Sequence, residues 1–425
     1  MLQPLGAGCH SRPGDRRLEV VLRRPRSRTL LILLLGALAG IAATWLVALL
    51  SGRTIVIQPR RGSPSVAALD FAAAAATDRL VNPPADRPVK NVILLIGDGM
   101  GTSHVLAARA LSAGVAGRLF MERLPVSGTL TTYADDSIYT DSAAGATALA
   151  TGHKTAPFLL SVTPARRRLT TVAEAAMKRG MAVGLVTDSY LLDATPAAFV
   201  AHTRRRLREV VAAQMASSGA TILAGELLPG DEDLEKLLAP FRDGGYAVAR
   251  SLDELRSATG SVAGLFPPTA IGDPAQPPEL GELAAAALDK LSPSPAGFFL
   301  MVETEETDTG SHFNDFERVV RGVLTLDAIV ERAVDFARRD GQTLVLVTAD
   351  HETGGLMLLG GTPEEPLRYR WGTTNHTASP VPIFAYGPGA ERFTGANDNT
   401  AVAPIVSALL GLGLFPGEDA PPPGD

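Results

Sequence analysis

Between about residues 91 and 410, short apolar runs alternate with longer segments of helical periodicity. Several of the runs are continuously apolar, which is typical of strands that are covered on both faces. The strands predicted from these runs are 92–96, 182–187, 221–223, 298–302, 343–348 and 382–386. The helices predicted between them are 102–113, 142–150, 169–179, 204–217, 278–291 and 316–340. This alternation predicts one doubly wound α/β sheet.

Acidic residues come shortly after three of the predicted strands. They are Asp98, Glu303 and Asp350, and each lies in an otherwise apolar neighbourhood. In doubly wound sheets, ligands bind beyond the carboxyl ends of the strands. We therefore expect these three carboxylates to lie at the functional edge of the sheet.

Composition excludes some classes of protein. The chain has 425 residues, of which 46% are hydrophobic, and large α/β enzymes often fold this length as one unit. A net charge of -6 leaves no general basic surface, so we expect no nucleic-acid binding. The single cysteine, Cys9, excludes internal disulfides.

Residues 29–50 carry no charged side chain, and as a helix they would cross about 30 Å of hydrocarbon. Arginines are more numerous before this run than after it, which favours a cytoplasmic N-terminus. We predict an uncleaved transmembrane signal anchor with the remainder on the periplasmic or extracellular side; a cleaved, secreted form is the alternative. The predicted regions are a basic cytoplasmic tail 1–28, the anchor 29–50, a tether and lead-in 51–90, the main domain 91–415 and a flexible tail 416–425.

Ser142 follows Asp141 where a predicted helix of small residues begins. The unpaired N–H groups of a helix start favour nearby anions and a developing alkoxide. Asp and Ser are also the residues preferred at ordinary N-caps. This segment by itself therefore leaves both a nucleophile and a simple cap open.

Histidines recur beside acids. Of seven histidines, His312, His351 and His376 lie in acid-rich or glycine-rich segments, whereas His104 and His202 are assigned to packing. Asp308 precedes His312 by four residues, which places both on one side of a helix. Carboxylate and imidazole together suit zinc, so the combined pattern predicts a metal centre.

An arginine run follows the segment that contains Asp193 and Thr195. A guanidinium can bind a phosphate group through two parallel hydrogen bonds. We expect Arg204 and Arg205 to lie on a solvated helix face.

Six segments, in order, resemble the alkaline phosphatase family: NVILLIGDGMG, TDSAAGATALATG, DATPAAFVAHTRRR, MVETEETDTGSHFND, VTADHETGG and TNHT. The resemblance implies an α/β three-layer sandwich with a central, mostly parallel sheet flanked by helices. It also implies two Zn²⁺ ions and one Mg²⁺ ion per chain, with phosphate monoesters as substrates.

The resemblance assigns roles to single residues. Ser142 resembles the phosphorylated nucleophile, and Arg206 matches the arginine that binds the phosphate. Asp141, Asp193 and Thr309 are expected to support the site without binding metal directly. The implied ligands are Asp308, His312 and His376 for one zinc, Asp98, Asp350 and His351 for the other, and Asp98, Thr195 and Glu303 for magnesium.

Four alternatives remain to be weighed. A sulfatase needs a nucleophile motif that is absent here, and a phosphoglycerate mutase needs an inserted domain for which the matched segments leave little room. A phosphodiesterase is the nearest rival, because the same metal core transfers diesters when its pocket is reshaped. A binding protein without turnover predicts a lost nucleophile or ligand, and none is lost.

A homodimer is possible, but the short segment 206–303 leaves no room for a large insertion that would form its contacts.

Overall fold

A ten-stranded sheet forms the centre of the protein. The computed structural model describes residues 69–71, 79–82, 87–227, 234–267 and 278–413. The strands of the sheet, in spatial order, are β16 (Gly395–Asp398), β2 (Val126–Thr131), β15 (Val381–Tyr386), β10 (Thr343–Thr348), β1 (Asn91–Gly97), β9 (Phe298–Thr304), β4 (Ala182–Tyr190), β6 (Ile222–Glu226), β8 (Val262–Phe266) and β7 (Ala247–Ala249). All of them run in one direction except β15, which is antiparallel to both of its neighbours.

Helices cover the sheet on both faces, since every residue of β1, β9 and β10 is buried. The helices in the described part of the chain are α1 (Thr102–Ser112), α2 (Ser142–Thr151), α3 (Val172–Lys178), α4 (Ala194–Ala197), α5 (Arg208–Ala216), α6 (Leu234–Asp243), α7 (Leu252–Ser257), α8 (Leu280–Leu291), α9 (Glu306–His312), α10 (Phe316–Asp340) and α11 (Val402–Leu410). Helix α10 packs on α1 and α8, whereas α2 packs on α3 and α11. The predicted α/β fold with a mostly parallel central sheet is confirmed.

Three two-stranded ribbons lie outside the main sheet. They pair β3 (Leu159–Leu160) with β5 (Thr203–Arg204), β11 (Glu352–Thr353) with β14 (His376–Thr377), and β12 (Met357–Gly360) with β13 (Arg368–Arg370). The first two ribbons hold segments that the sequence analysis singled out for chemistry.

The helix predicted over 204–217 is wrong at its start. Residues Thr203–Arg204 form a strand, and α5 begins only at Arg208. Pairing with Leu159–Leu160 extends the chain here, so a tertiary contact overrides the local helical pattern.

The predicted anchor, 29–50, lies outside the described residues. Within the described ranges, no helix is both long and apolar enough to cross a membrane.

Candidate active site

Three acidic side chains meet at the carboxyl ends of neighbouring strands. Strand β1 lies between β9 and β10, and the three strands are parallel. Asp98 directly follows β1, Glu303 is the penultimate residue of β9, and Asp350 lies two residues after β10. All three side chains are buried. The three acids therefore lie at the same edge of the sheet, as the strand pattern predicts.

Ser142 is the first residue of α2 and lies beside this edge. Asp141 caps the helix, because its carboxylate accepts a hydrogen bond of 3.0 Å from the backbone N–H three residues on. A Cβ atom at position 145 would lie 2.7 Å from the carbonyl oxygen of Asp350, so Gly145 lets the first turn approach the end of β10. As a result, Ser142 Oγ lies 3.3 Å from Nε2 of His351.

Asp98, Asp350 and His351 form a first group of possible metal ligands. Nε2 of His351 lies 3.4 Å from Oδ1 of Asp98 and 3.3 Å from Oδ2 of Asp350. The same nitrogen faces Ser142 Oγ. One cation held by this group would therefore lie next to the serine hydroxyl.

Asp308, His312 and His376 form a second group. Oδ2 of Asp308 lies 3.1 Å from Nε2 of His312, one turn further along α9. Nε2 of His376 lies 3.2 Å from Nε2 of His312 and 3.6 Å from Oδ1 of Asp308. The rings of His376 and His351 stack with their centroids 3.7 Å apart, so the two groups adjoin.

Thr195 and Glu303 lie on the other side of Asp98. The Thr195 hydroxyl donates a hydrogen bond of 3.4 Å to Oδ2 of Asp98, and Thr195 is also close enough to Glu303 to affect the pKa of its carboxyl. Asp98 thus offers Oδ1 to the first group and Oδ2 to this third group.

The site's carboxyls carry perturbed pKa values. Burial, together with the nearby Asp350, holds the pKa of Asp98 well above its usual range. Burial likewise raises the pKa of Glu303 to about 8 and the pKa of Asp350 to about 7. Asp308 differs: burial opposes its charge, but the hydrogen bond from His312 and the charges of the site's histidines bring its pKa below the usual value. Buried carboxylates that lie this close together repel one another when ionised. Their ionised forms therefore need positive charge nearby.

Two carboxylate oxygens show where that charge belongs. Oδ1 of Asp98 and Oδ2 of Asp350 are buried and accept no hydrogen bond from the described residues. An unsatisfied buried oxygen of this kind is costly. Carboxylate and imidazole ligands suit zinc, and the hydroxyl and carboxylates around Glu303 suit magnesium. The residues present therefore fit divalent cations.

The arginine run places Arg205, rather than Arg206, in the site. Arg205 Nη1 lies 3.3 Å from Oδ2 of Asp141, and Nη2 lies 2.6 Å from Oδ1 of Asp193. Burial opposes the charge of Arg205, but Asp193 and Asp141 outweigh it and raise its pKa. Arg206 instead lies over the ring of Phe158, with its guanidinium carbon 4.9 Å from the ring centroid. The expectation that Arg205 lies on a solvated face is corrected, because the β3–β5 ribbon turns it inward.

The remaining predicted residues lie at the rim or in the packing. Thr309 donates a hydrogen bond of 3.3 Å to Glu305, which is half-buried. His104 is fully buried and accepts a hydrogen bond from the Gly101 backbone, as expected of a packing residue. His202 bonds to Glu174 at 2.8 Å.

Sequence reasoning missed Thr353. Its hydroxyl donates a hydrogen bond to Oδ1 of Asp308 and lies 3.2 Å from Nδ1 of His351, so it connects both ligand groups. The only available signal was its place two residues after His351 in the segment ADHETGG.

Comparisons with known proteins agree with this geometry. The sequence profile of the alkaline phosphatase family matches residues 89–234 and 251–366. The chain belongs to the alkaline phosphatase family. Streptomycin-6-phosphate phosphatase of Streptomyces griseus is 35% identical over 80% of this chain and 94% of its own length. Alkaline phosphatase of Escherichia coli is 31% identical over 77% of this chain and 87% of its own length.

Solved alkaline phosphatases share the fold. The enzyme from the Antarctic bacterium TAB5 aligns with a TM-score of 0.68 at 28% identity, covering 76% of this chain and 98% of its own. The enzyme from Thermus thermophilus aligns with a TM-score of 0.70 at 25% identity, covering 83% and 97%. The chain is therefore a phosphatase, and its family acts on phosphate monoesters.

Proposed function

We propose that this alkaline phosphatase transfers the phosphoryl group of a monoester first to Ser142 and then to water. The observation that carries the proposal is the position of Ser142 Oγ. It lies at the start of a buried helix, 3.3 Å from His351, beside two groups of metal-ligand side chains.

The chain's own residues supply positioning. Ser142 Oγ loses its proton to solvent as it attacks phosphorus, and the ester oxygen leaves with the electron pair of the broken P–O bond and takes a proton from solvent, so that the alcohol is released. Water then attacks phosphoserine, which releases phosphate and returns a proton to Ser142. Two displacements in sequence retain the configuration at phosphorus. Arg205, held by Asp141 and Asp193, is positioned to bind the phosphoryl oxygens through its guanidinium.

The three ligand groups are proposed to hold two zinc ions and one magnesium ion. Asp98, Asp350 and His351 would hold the zinc beside Ser142, and Asp308, His312 and His376 the other. Thr195 and Glu303, with Asp98, would hold magnesium. When bound, these cations lower the pKa of a hydroxyl group and offset the charge of the transferred phosphoryl group.

The test is turnover by the full-length chain, purified in detergent with zinc and magnesium. We would compare p-nitrophenyl phosphate with bis-p-nitrophenyl phosphate at alkaline pH, alongside Ser142→Ala and an EDTA-treated sample. Monoester turnover should fall at least about 10³-fold in Ser142→Ala and after EDTA, because both displacements need the serine or the cations. Ser257→Ala, at the exposed end of α7, is the control for a general effect of losing a serine.

Other outcomes would reject the proposal in different ways. Preference for the diester would move the assignment to a phosphodiesterase. Turnover that survives in Ser142→Ala would reject the phosphoserine intermediate. Metal binding without turnover of either ester would support a binding protein.

The location of the enzyme is also a proposal. The charge-free run 29–50 with arginines before it supports a membrane anchor and a periplasmic or extracellular catalytic domain. Leu34→Arg with Leu38→Arg should release the protein from carbonate-washed membranes. Release of the unaltered chain by the same wash would reject the anchor.

A further inference from the structure

Phe158 holds an unusual backbone conformation next to the nucleophile. Its φ angle is 68°, a region that bulky residues rarely occupy. Its N–H donates a hydrogen bond of 3.1 Å to Oδ2 of Asp141, and its carbonyl accepts one of 3.0 Å from the backbone of Arg205. Backbone strain of this kind is typical of functional sites that the surrounding structure holds in place.

The held backbone presents the Phe158 ring at the surface rather than in the core. The residue is 46% exposed, although the next two residues, Leu159 and Leu160, are buried. Burying an aromatic ring is strongly favourable, so an exposed ring costs free energy, and so does a strained backbone. A stabilising contact of the ring is expected to offset these costs. That contact is the guanidinium of Arg206.

The guanidinium of Arg206 lies over the Phe158 ring in an exposed position. The guanidinium carbon lies 4.9 Å from the ring centroid, and the residue is exposed. Among the described residues, no acidic side chain pairs with Arg206. Contact with the ring restricts the Arg206 side chain. Less conformational entropy is therefore lost when its N–H groups bind an anion.

We propose that Phe158 and Arg206 form a subsite for a second anionic group on the alcohol part of the substrate. The proposal rests on the proposed function and deepens it. Arg205 is paired with Asp141 and Asp193, where we propose that it binds the phosphoryl group, whereas Arg206, the next residue, contacts the Phe158 ring. Phosphate monoesters whose alcohol carries a carboxylate or a further phosphate would therefore contact both arginines, and cationic alcohols would be disfavoured.

The test uses two substrates that differ in charge but hardly in shape, 4-carboxyphenyl phosphate and 4-carbamoylphenyl phosphate. We would measure kcat/KM for each with the full-length, metal-loaded enzyme and take the ratio of carboxyl to carbamoyl substrate. In Arg206→Gln this ratio should fall about fivefold, because an exposed charge-assisted pair contributes that order of discrimination. Phe158→Leu should lower the ratio about threefold even though Arg206 remains, because the stacked pair is lost.

Arg204→Gln is the matched control, since Arg204 is an exposed arginine of the same run that lies in the β3–β5 ribbon. Its ratio should equal that of the unaltered enzyme, and the loss in Arg206→Gln should shrink at high salt. Both substrates are measured on one preparation, so partial unfolding of a variant cancels from the ratio. An equal ratio in all variants would overturn the subsite while leaving the phosphatase intact. No turnover of either substrate by the unaltered enzyme would overturn the proposed function and the subsite with it.

Discussion

Arg205 and Arg206 are adjacent and chemically identical, yet their surroundings give them different roles. Arg205 is enclosed by two carboxylates, whereas Arg206 rests on an aromatic ring at the surface. A charge fixed between two carboxylates is positioned for catalysis, because it needs little reorganisation when an anion arrives. This difference follows from the direction in which each side chain leaves the β3–β5 ribbon.

Replacing Arg205 should therefore impair p-nitrophenyl phosphate hydrolysis more than replacing Arg206. We expect Arg205→Gln to lower kcat/KM about 100-fold, as is usual on losing a charged donor to the transition state. The loss should exceed that of Arg206→Gln by at least about tenfold, because Arg206 is not paired with the carboxylates that hold Arg205 in the site. Steady-state kinetics on the two variants measures the two losses. A larger loss in Arg206→Gln than in Arg205→Gln would support Arg206 as the phosphate-binding arginine, as the sequence resemblance implies.

The Thr353 hydroxyl should matter for metal affinity. Thr353→Val keeps the shape but removes the hydrogen bond to Asp308, so we expect zinc affinity to fall about tenfold, as is typical on losing a group that orients a ligand. Competition with a chromogenic chelator measures this without turnover.

Thr307→Val is the matched control for Thr353→Val. Its hydroxyl is buried beside Asp308 and makes no hydrogen bond to the described residues, so its removal should leave zinc affinity unchanged. Equal affinities in the two variants would show that the Thr353 bond does not orient Asp308.

At the scale of elements, the active site depends on how closely α2 approaches β10. Alanine normally stabilises a helix relative to glycine by about 1 kcal/mol. At Gly145 the added Cβ would lie 2.7 Å from the Asp350 carbonyl oxygen, and backbone cannot easily move aside. We expect Gly145→Ala to reverse the sign and to lower the free energy of unfolding by about 1–3 kcal/mol.

Gly281→Ala, in α8, is the control for helix propensity. The nearest atom to its added Cβ is the flexible Arg332 guanidinium at 3.2 Å, so this variant should be unchanged or up to about 1 kcal/mol more stable. Urea unfolding of both variants measures the difference. Equal changes in the two would mean that the α2–β10 contact relaxes without cost.

At the scale of the whole molecule, the buried acids couple stability to pH and metal. Folding raises the pKa of Asp350 to about 7 and of Glu303 to about 8, so the folded, metal-free protein binds more protons than the unfolded chain at neutral pH. Stability gained in this way is present at low pH and is lost as pH rises through these values. The stability of metal-stripped protein should therefore fall from pH 7 to pH 9. Burial lowers the pKa of His351, so this residue is uncharged in the folded and the unfolded protein at the upper end of this pH range and does not alter the trend there.

Divalent cations bind carboxylates in their ionised form, so protein loaded with zinc and magnesium should not lose stability in this way if these carboxylates hold the cations. We expect the difference in Tm between loaded and stripped protein to widen between pH 7 and pH 9. Burial also raises the pKa of Asp188 to about 7, but Asp188 belongs to neither group of possible metal ligands. Its contribution is therefore the same in loaded and stripped protein and cancels from the difference in Tm. A constant difference over this range, measured by calorimetry, would argue against cation binding at Asp350 and Glu303.

The sequence by itself determined the architecture and the strand-end carboxylates that the structure brings together. Continuous apolar runs predict buried strands because both faces must be covered, and the predicted strand over 343–348 has the bounds observed for β10. Asp98, Glu303 and Asp350 could be placed together because the carboxyl ends of parallel strands share one edge. Four strands of the sheet were not predicted. The short and exposed β7 and β16 have a weak pattern, whereas glycine interrupts the apolar sequence of β2 and of the fully buried β8.

Only the tertiary structure decided between neighbours in the chain. Which arginine of the run pairs with Asp141 and Asp193 depends on the conformation next to a two-residue ribbon whose partner strand lies more than forty residues away. Thr353 entered the site, and Phe158 acquired its positive φ, through hydrogen bonds to Asp308 and Asp141 that no local pattern encodes. Periodicity reports burial along one segment, whereas side-chain direction at a site is set by contacts between distant segments.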